Sequence, residues 1–353
     1  MRQRKRRFLA MLSALALSGA LFTGCATAGS DSANTPSQAP DEDRTLVVYA
    51  GRSESLVGPL IEQFEETSGI TVKVRYANSI EMAAQLLEEG DRSPAEVFLS
   101  QEAGALGALH DAGLLTELPA DITDAVDAQY SSADGTWVAL TGRARIIAYD
   151  SQEFSADEVP ADVKELTDPQ WRGQVGFAPT NASFQSFVTA MRILEGDAAT
   201  EEWLNGLIAN DAQVFTGNNP ILEAVNTGAL DLGLLNHYYW VNAAREAGGP
   251  EAMRAQLKFG APETVSALVN VTGAGILNGA AESTEAREFV EFLLSEQAQT
   301  FFVEETGEYA LTPGASSPAN VPTLSELEGP AINYSELADL EGTVALLQKV
   351  GLI

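Results

Sequence analysis

Two adjacent tyrosines, Tyr238 and Tyr239, follow an apolar run at 230–235 and stand at the predicted start of a helix. A phenolate is a hard, strongly donating oxygen ligand, and the hardness of a ligand decides which cations suit a site. A trivalent ion such as Fe³⁺ can deprotonate tyrosine, whose free pKa is about 10, because the charge of the metal favours the anionic form. The alternative interpretation is an aromatic packing cluster with Trp240. The pair alone does not decide between the two.

Arg143 and Arg145 lie in an extended run at 138–150, where the alternation of a strand places both side chains on the same face. An arginine beside a cleft can hold an anion through two parallel hydrogen bonds. Either arginine can instead pair with one of the 50 acidic residues of the chain. The two histidines, His110 and His237, are predicted to be hydrogen-bonded structural residues, because their spacing does not favour a shared metal site.

Further polar residues follow each predicted strand. In a sheet covered by helices, these positions meet helix N-termini, where backbone N–H groups and the helix dipole favour anions. The positions are 51–54 (GRSE), 100–102 (SQE), 180–183 (TNAS), 217–219 (GNN) and 236–240 (NHYYW).

Short β-branched runs alternate with amphipathic helical stretches, which predicts an α/β fold with a mixed, mostly parallel sheet. Strands and helices alternate from 45 to 112 and again from 175 to 235. Extended runs at 138–150 and 266–273 separate these blocks. Two blocks joined by two such crossings predict two lobes that bend about a pair of strands, with a ligand cleft between them.

Composition excludes several classes of protein. With 20 basic against 50 acidic residues and a formal charge of −30, the chain lacks the surplus of Lys and Arg that binding to nucleic acid requires. A single cysteine excludes an intrachain disulfide framework and a cysteine-based metal cluster. No recognisable catalytic motif occurs, so the protein is predicted not to be an enzyme. An extracellular hydrolase using Glu102 or Glu54 as its base is kept as a remote alternative.

Residues 1–24 have the form of a secretory signal peptide, with five basic residues before a mostly apolar stretch of about 15 residues. That stretch ends in LFTGC, which resembles a bacterial lipobox, so Cys25 is predicted to be lipidated. An ordinary signal peptide with an incidental cysteine is the alternative. Residues 25–43 are predicted to form a flexible tether. The protein is thus predicted to be exported and anchored on the outer face of the cytoplasmic membrane.

Five segments together resemble the ferric-iron-binding proteins of bacterial ABC importers, sometimes called bacterial transferrins. The resemblance covers the chain from about residue 45 to the C-terminus, and it implies a type II periplasmic-binding-protein fold: two α/β lobes, a two-strand hinge and a ligand clamped between the lobes. In order, the segments are VVYAGRSE, RSPAEVFLSQEAGALGAL, WVALTGRARIIAYD, WRGQVGFAPTNASF and LLNHYYW.

The resemblance also implies a ligand set. In this family both adjacent tyrosines bind Fe³⁺, and they correspond to Tyr238 and Tyr239. The Y-x-G-R form of the first loop is similar to a subgroup that completes the site with an early-strand tyrosine, here Tyr49, and a carbonate. Tyr49 as a core residue is the alternative.

Other members of the family use ligands that this sequence lacks. Where some have a histidine and a glutamate, this chain has Ser53 and Gln101, with Glu102 next to Gln101. Where others have a further tyrosine, this chain has Phe184. Ser53, Gln101 and Glu102 are therefore expected in the cleft near the metal, without an assigned role as ligands.

The family also binds a synergistic anion, carbonate or phosphate, together with the iron. Glu102 makes a phosphate-type anion unfavourable, so carbonate or a similar anion is predicted, with Arg52 and Arg143 supplying positive charge. Serine and asparagine side chains and helix-start amides are suitable donors to an anion. By similarity, the remaining anion-contacting positions are Asn181, Ala182, Ser183, Asn218 and Asn236.

The sequence thus predicts a lipid-anchored, monomeric receptor that captures Fe³⁺ and delivers it to an ABC importer permease. The alternative keeps the fold but binds another small solute, such as an organic cation, a phosphonate or another anion. Residues 44–142 and 268–320 are predicted to form the first lobe. Residues 143–267 and 321–353 are predicted to form the second lobe.

Overall fold

The computed structural model describes residues 44–353. The predicted signal peptide, the lipidation of Cys25 and the tether at 25–43 lie outside the described residues. Among the helices of 44–353, none combines the length and the apolar character that crossing a bilayer requires.

Ten strands within residues 44–353 form one connected, mixed sheet. In chain order they are β1 (Thr45–Ala50), β2 (Thr71–Tyr76), β3 (Val97–Ser100), β4 (Val138–Asp150), β5 (Val175–Phe177), β6 (Gln213–Val214), β7 (Leu232–Asn236), β8 (Ala255–Phe259), β9 (Val269–Ile276) and β10 (Tyr309–Ala310).

The sheet has two parallel ends joined by antiparallel strands. At one end β1 pairs in parallel with β2 and β3, and at the other β5 pairs in parallel with β6 and β7. The long strand β4 joins them: its first half pairs with β9 and its second half with β7 and β8, all antiparallel. The predicted α/β fold with two lobes and crossing strands is confirmed.

The two crossings agree with the predicted extended runs to different degrees. The run at 138–150 coincides with β4 (Val138–Asp150), whereas the run at 266–273 is shifted, since β9 begins at Val269 after a short 3₁₀ turn, Val265–Ala267. The lobe boundaries given above stay a prediction.

Eleven α-helices of residues 44–353 cover the sheet. They are α1 (Glu54–Ser68), α2 (Ser79–Glu89), α3 (Ala103–Asp111), α4 (Ala120–Thr123), α5 (Ala182–Glu195), α6 (Asp197–Ala209), α7 (Asn218–Asn226), α8 (His237–Glu246), α9 (Thr284–Leu293), α10 (Glu296–Phe301) and α11 (Leu340–Lys349).

The apolar pattern of α1 shows how a helix is held on the sheet. Leu60, Ile61 and Phe64 lie on one face and are buried, and Phe64 meets Phe289 of α9 with ring centroids 5.0 Å apart. The helix ends at Gly69, whose φ of 71° is the left-handed conformation that glycine adopts without strain. Helices α2, α3 and α8 begin one to three residues after the end of a strand, and α1 and α5 begin four and five residues after one. Residues at or next to the starts of α1, α2, α3 and α5 lie at a common edge, where the two halves of the sheet meet.

Candidate functional site

A cleft of about 680 Å³ lies where the ends of β1, β2 and β3 face the loop before α5. It is lined by residues from both halves of the sheet. Among the positions singled out from the sequence, the lining contains Arg52, Ser53, Gln101, Glu102, Asn181, Ala182, Ser183 and Tyr239.

A larger cavity of about 770 Å³ lies elsewhere, along the segment 310–330 and beside Tyr130 and Tyr334. It contains none of the predicted site residues. The predicted site residues that line a cavity therefore lie at the smaller cleft and not at the larger one.

The two adjacent tyrosines lie at this cleft in the first turn of α8. Their rings stack with centroids 4.3 Å apart and an interplanar angle of 29°. Tyr239 is half-buried and lines the cleft, whereas Tyr238 is 3% exposed and accepts a hydrogen bond of 3.2 Å from the side-chain amide of Gln101. Because Gln101 follows β3 and Tyr238 follows β7, this bond joins the two halves of the molecule across the cleft.

The environment of the pair keeps Tyr238 protonated. Burial, followed by the neighbouring Tyr239, raises the pKa of Tyr238 well above 10, against a smaller lowering by Arg143. A cation that binds here must therefore displace a proton, which a trivalent ion does more readily than a divalent one. Of the two rings, Tyr239 lines the cleft, and the buried Tyr238 reaches the cleft-lining Gln101 through its hydroxyl.

Four of the predicted anion-contacting residues lie at the N-termini of α5 and α7, whereas Asn236 ends β7 and is bonded by Arg145. Asn181 caps α5, and its Oδ1 accepts from the amide of Ser183 at 3.1 Å and from Ser183 Oγ at 2.6 Å. Asn218, the first residue of α7, is buried, and its Nδ2 lies 3.5 Å from Ser183 Oγ. Within residues 44–353, Asn218 Oδ1 has no hydrogen-bond partner. Ala182 lies between Asn181 and Ser183 at the start of α5.

Arg52 is paired with a carboxylate inside the protein, and its predicted contact with an anion stays a prediction. Its Nη2 donates to Glu308 Oε1 at 2.7 Å and its Nη1 to Glu308 Oε2 at 3.1 Å, with both side chains fully buried. Glu308 also accepts from Thr141 Oγ1 at 2.6 Å. The reason is tertiary: Glu308 precedes β10, which pairs with β4, and this pairing brings the carboxylate to the end of β1.

Arg143 is likewise paired inside the protein. Its Nη1 donates to Glu102 Oε1 at 3.0 Å, and its Nη2 donates to the carbonyl of Gln101. Glu102 in turn accepts from Asn270 Nδ2 at 2.5 Å. The role of Arg143 as the positive charge for an anion stays a prediction, and Glu102 is bonded to residues of both crossing strands, β4 and β9.

Arg145 is the buried arginine that has no carboxylate partner among the described residues, and the sequence alone does not distinguish it from Arg143. It is 2% exposed, its Nη1 donates to Asn236 Oδ1 at 3.1 Å, and its guanidinium lies over the rings of Phe184 and Phe187 at 5.6 and 5.4 Å. Its Nε and Nη2 have no partner within 44–353. Burial lowers the pKa of Arg145 to about 10, so it remains a cation at neutral pH.

The hydroxyl of Tyr49 contacts residues of α2 and not the tyrosine pair, and its role as a metal ligand stays a prediction. Its hydroxyl lies 3.4 Å from Glu89 Oε1 and 3.5 Å from Gln85 Nε2. Helix α2 begins at the cleft with Ser79, so at about 1.5 Å per residue Glu89 lies roughly 15 Å away along the helix axis. The phenol of Tyr49 is therefore directed to the far end of α2.

The remaining candidates have structural roles or no fixed partner. His237 is fully buried, its Nδ1 accepts from the amide of Ala144 at 3.1 Å, and burial lowers its pKa to about 4, so it stays neutral. Ser53 is exposed at the rim of the cleft. Phe184 packs in the core against Phe177 and offers no donor. Within residues 44–353, no three His, Cys, Asp or Glu side chains are grouped to hold a metal.

The described geometry can be compared with known proteins. The family described as "Bacterial extracellular solute-binding protein" matches residues 92–328. The "Major ferric iron-binding protein" of Neisseria meningitidis serogroup B is 33% identical over 309 residues, which are 87% of this chain and 93% of that protein. The "Fe(3+)-binding periplasmic protein" of Serratia marcescens is 29% identical over 318 residues, 90% of this chain and 93% of its own.

The fold is also similar to that of a solved structure. The crystal structure of iron-bound HitA from Pseudomonas aeruginosa superposes with a TM-score of 0.82 at 32% sequence identity, and the match covers 88% of this chain and all of that one.

Proposed function

The chain belongs to the family of bacterial extracellular solute-binding proteins, and from this premise we propose that it captures Fe³⁺ outside the cytoplasm for import. Proteins of this family bind and carry solutes, so the chain is a transport protein and not an enzyme. The relatives named above support iron as the solute, since their names state that they bind ferric iron.

The observation that carries the proposal is the stacked pair Tyr238 and Tyr239 in the first turn of α8. Two phenol oxygens beside a cleft match the preference of a hard trivalent cation for anionic oxygen ligands. In our proposal both oxygens bind the iron as phenolates, and the Gln101 amide, 3.2 Å from Tyr238, orients the first of them.

We further propose that an anion is bound together with the iron, carbonate or a comparable oxyanion, at the start of α5 and α7. Ser183 and Asn218 supply hydroxyl and amide groups there, and Arg145 supplies a buried positive charge close to the pair. A buried charge without a partner costs several kcal/mol, on the order of the penalties known for ions in protein interiors, and an anionic ligand offsets that cost.

The cellular setting is proposed from the sequence and the relatives together. The receptor would be lipid-anchored through Cys25 on the outer face of the cytoplasmic membrane, act as a monomer and deliver iron to the permease of an ABC importer. Closure of the two lobes would exclude water, and opening against the permease would release the metal.

A visible-spectrum titration tests the function. We expect a phenolate-to-iron charge-transfer band to grow to one ferric ion per protein when Fe³⁺ is added with bicarbonate or as a soluble carboxylate chelate. The band must saturate with the protein, which distinguishes it from hydrolysed iron. If no band forms with any ferric source, the proposed function is wrong.

The contribution of Arg145 is tested by Arg145→Met. We expect ferric affinity to fall by about 10–100-fold, as for partners just outside the ligands of other metal sites. Folding stability should not fall comparably, because an apolar side chain replaces an uncompensated buried charge. Ferric affinity is measured by competition with a chelator, and stability by urea denaturation.

Arg245→Met is the matched control, because Arg245 lies on α8, the helix that carries the tyrosine pair, but is exposed and bonds Asn242 and the carbonyl of Glu305. It should leave ferric affinity unchanged. Equal affinity in wild type and Arg145→Met would show that Arg145 does not serve the bound ligand.

A further inference from the structure

We propose that His237 is a positioning residue of the iron site, which fixes the first turn of α8 to the crossing strand β4 and so sets the direction of both phenol oxygens. This inference rests on the proposed function, because it concerns how the tyrosine pair is held and not which solute the pair binds. It follows from the contacts of a fully buried histidine that the proposed ligand chemistry leaves unused.

The imidazole of His237 is buried beside the tyrosine pair and does not line the cleft. His237 is the first residue of α8, directly before the pair. Its ring meets the ring of Tyr238 edge to face, with centroids 6.2 Å apart and an interplanar angle of 83°. The histidine therefore supports the pair from inside the protein and is not placed to touch a ligand in the cleft.

The imidazole is bonded to the crossing strand β4. Its Nδ1 accepts a hydrogen bond of 3.1 Å from the backbone N–H of Ala144. Ala144 lies where β4 changes partners, since it pairs with Val269 of β9 whereas Arg145 pairs with Asn236 of β7. A buried backbone N–H needs an acceptor, and at this junction the side chain of His237 provides it.

A second bond holds the start of α8 in the same way. Arg145, the next residue of β4, donates from Nη1 to Oδ1 of Asn236 at 3.1 Å. Two consecutive residues of β4, Ala144 and Arg145, thus bind the side chains of the two residues that precede the tyrosine pair. Any rotation of the first turn of α8 against β4 strains both bonds.

The face of the imidazole packs on β10. The rings of Tyr309 and His237 stack with centroids 4.6 Å apart and an interplanar angle of 25°. Tyr309 is fully buried and pairs with Gly142 of β4. Because α8, β4 and β10 all meet at this one ring, its contacts determine how the first turn of α8 presents the pair.

The geometry of the bound metal is where this positioning should be visible. Two phenolates bind one ion tightly only when both oxygens converge on it, and losing a group that orients a metal ligand typically lowers metal affinity by about 10–100-fold. The wavelength of the phenolate-to-iron band depends on the same geometry. The band therefore reports on positioning separately from folding stability.

Two substitutions of His237 separate its hydrogen bond from its ring. His237→Phe keeps an aromatic ring against Tyr309 but removes the acceptor, whereas His237→Asn places a carbonyl oxygen near the position of Nδ1. We expect His237→Phe to lower ferric affinity by about 10–100-fold and to shift the band, and His237→Asn to stay within about fivefold of wild type. Competition with a chelator measures affinity, and the visible spectrum of the iron-loaded protein gives the band.

Tyr334→Phe is the matched control for the loss of a buried hydrogen bond to a crossing strand. The hydroxyl of Tyr334 donates to the carbonyl of Val269 on β9 at 2.6 Å, and Tyr334 lines the larger cavity, which contains none of the predicted site residues. This variant should lose stability in urea denaturation but keep the ferric affinity and the band of the wild type.

Each other outcome has a definite meaning. If His237→Phe loses stability but keeps the affinity and the band, His237 serves folding alone, and this inference is overturned while the proposed function stands. Equal losses of affinity in His237→Phe and His237→Asn also overturn it, because the acceptor is then not what holds the pair. If the wild-type protein gives no band, the proposed function fails and this inference fails with it.

A measurement on the wild-type protein decides the question if His237→Phe does not fold. In a neutral imidazole one ring nitrogen carries the proton and the other accepts. Nitrogen NMR of the protein with isotope-labelled histidine, loaded with diamagnetic Ga³⁺, should therefore show His237 with a bare Nδ1 and a protonated Nε2. His110, the other histidine of the chain, gives the second signal of the spectrum. A proton on Nδ1 of His237 in the loaded protein would overturn the inference.

Discussion

Replacing both Tyr238 and Tyr239 with phenylalanine should abolish the phenolate-to-iron band and lower ferric affinity by more than roughly 100-fold. Loss of partners outside a metal's own ligands already costs about 10–100-fold, and this variant removes the two proposed ligands themselves. The fold should persist, because phenylalanine retains the stacked rings, whose centroids are 4.3 Å apart. The measurements are the visible spectrum and competition for Fe³⁺ against a chelator of known affinity.

Two further tyrosines serve as matched controls. Tyr49→Phe and Tyr76→Phe each remove one phenol oxygen from the half of the molecule opposite the pair, on β1 and β2, without touching the pair. Both should leave the band and the ferric affinity unchanged. If Tyr49→Phe weakened the band as strongly as the double variant, the placement of Tyr49 at the far end of α2 would be wrong for the loaded protein.

The crossing strand β4 was predictable because its signal is local. Thirteen successive residues from Val138 to Asp150 are buried. An extended run that contains β-branched and aromatic residues is typical of a buried strand. The position of Tyr238 was predictable for a similar reason, since an apolar strand followed by a helix start places its first residues at the sheet edge. In both cases neighbouring residues alone determine the outcome.

The partners of the arginines were not predictable, because they are distant in sequence. Arg52 and Glu308 are separated by 256 positions, and Arg143 and Asn270 meet at Glu102 from different strands. With 50 acidic residues in the chain, sequence alone cannot select the one that folding brings to each arginine. That Arg145 has no carboxylate partner within residues 44–353 follows from the same selection.

The direction of Tyr49 was hidden by the burial of β1. Val48, Tyr49 and Ala50 are all buried, so no alternation of polar and apolar residues shows which face of the strand meets the cleft. Only the position of α2, whose Glu89 and Gln85 approach the phenol, resolves this choice.

Glu308→Gln should destabilise the protein by about 3–5 kcal/mol, the cost of removing one partner from a buried ion pair. Glutamine retains the volume of glutamate but leaves the guanidinium of Arg52 buried without a counter-charge, and it weakens the hydrogen bond from Thr141 on the crossing strand. The free energy of unfolding from urea denaturation measures the effect, with an unchanged m-value as the check that unfolding exposes the same surface.

Two further variants separate this effect from a general loss of charge. Arg287→Ala removes exposed ion pairs with Asp121 and Glu291 and should change stability by no more than about 1 kcal/mol. Arg52→Met combined with Glu308→Leu should recover most of the stability, because apolar side chains of similar volume often replace a buried pair without loss. A double variant as unstable as Glu308→Gln would contradict this account. The pair would then hold β1 to the hinge strands through geometry that apolar packing cannot reproduce.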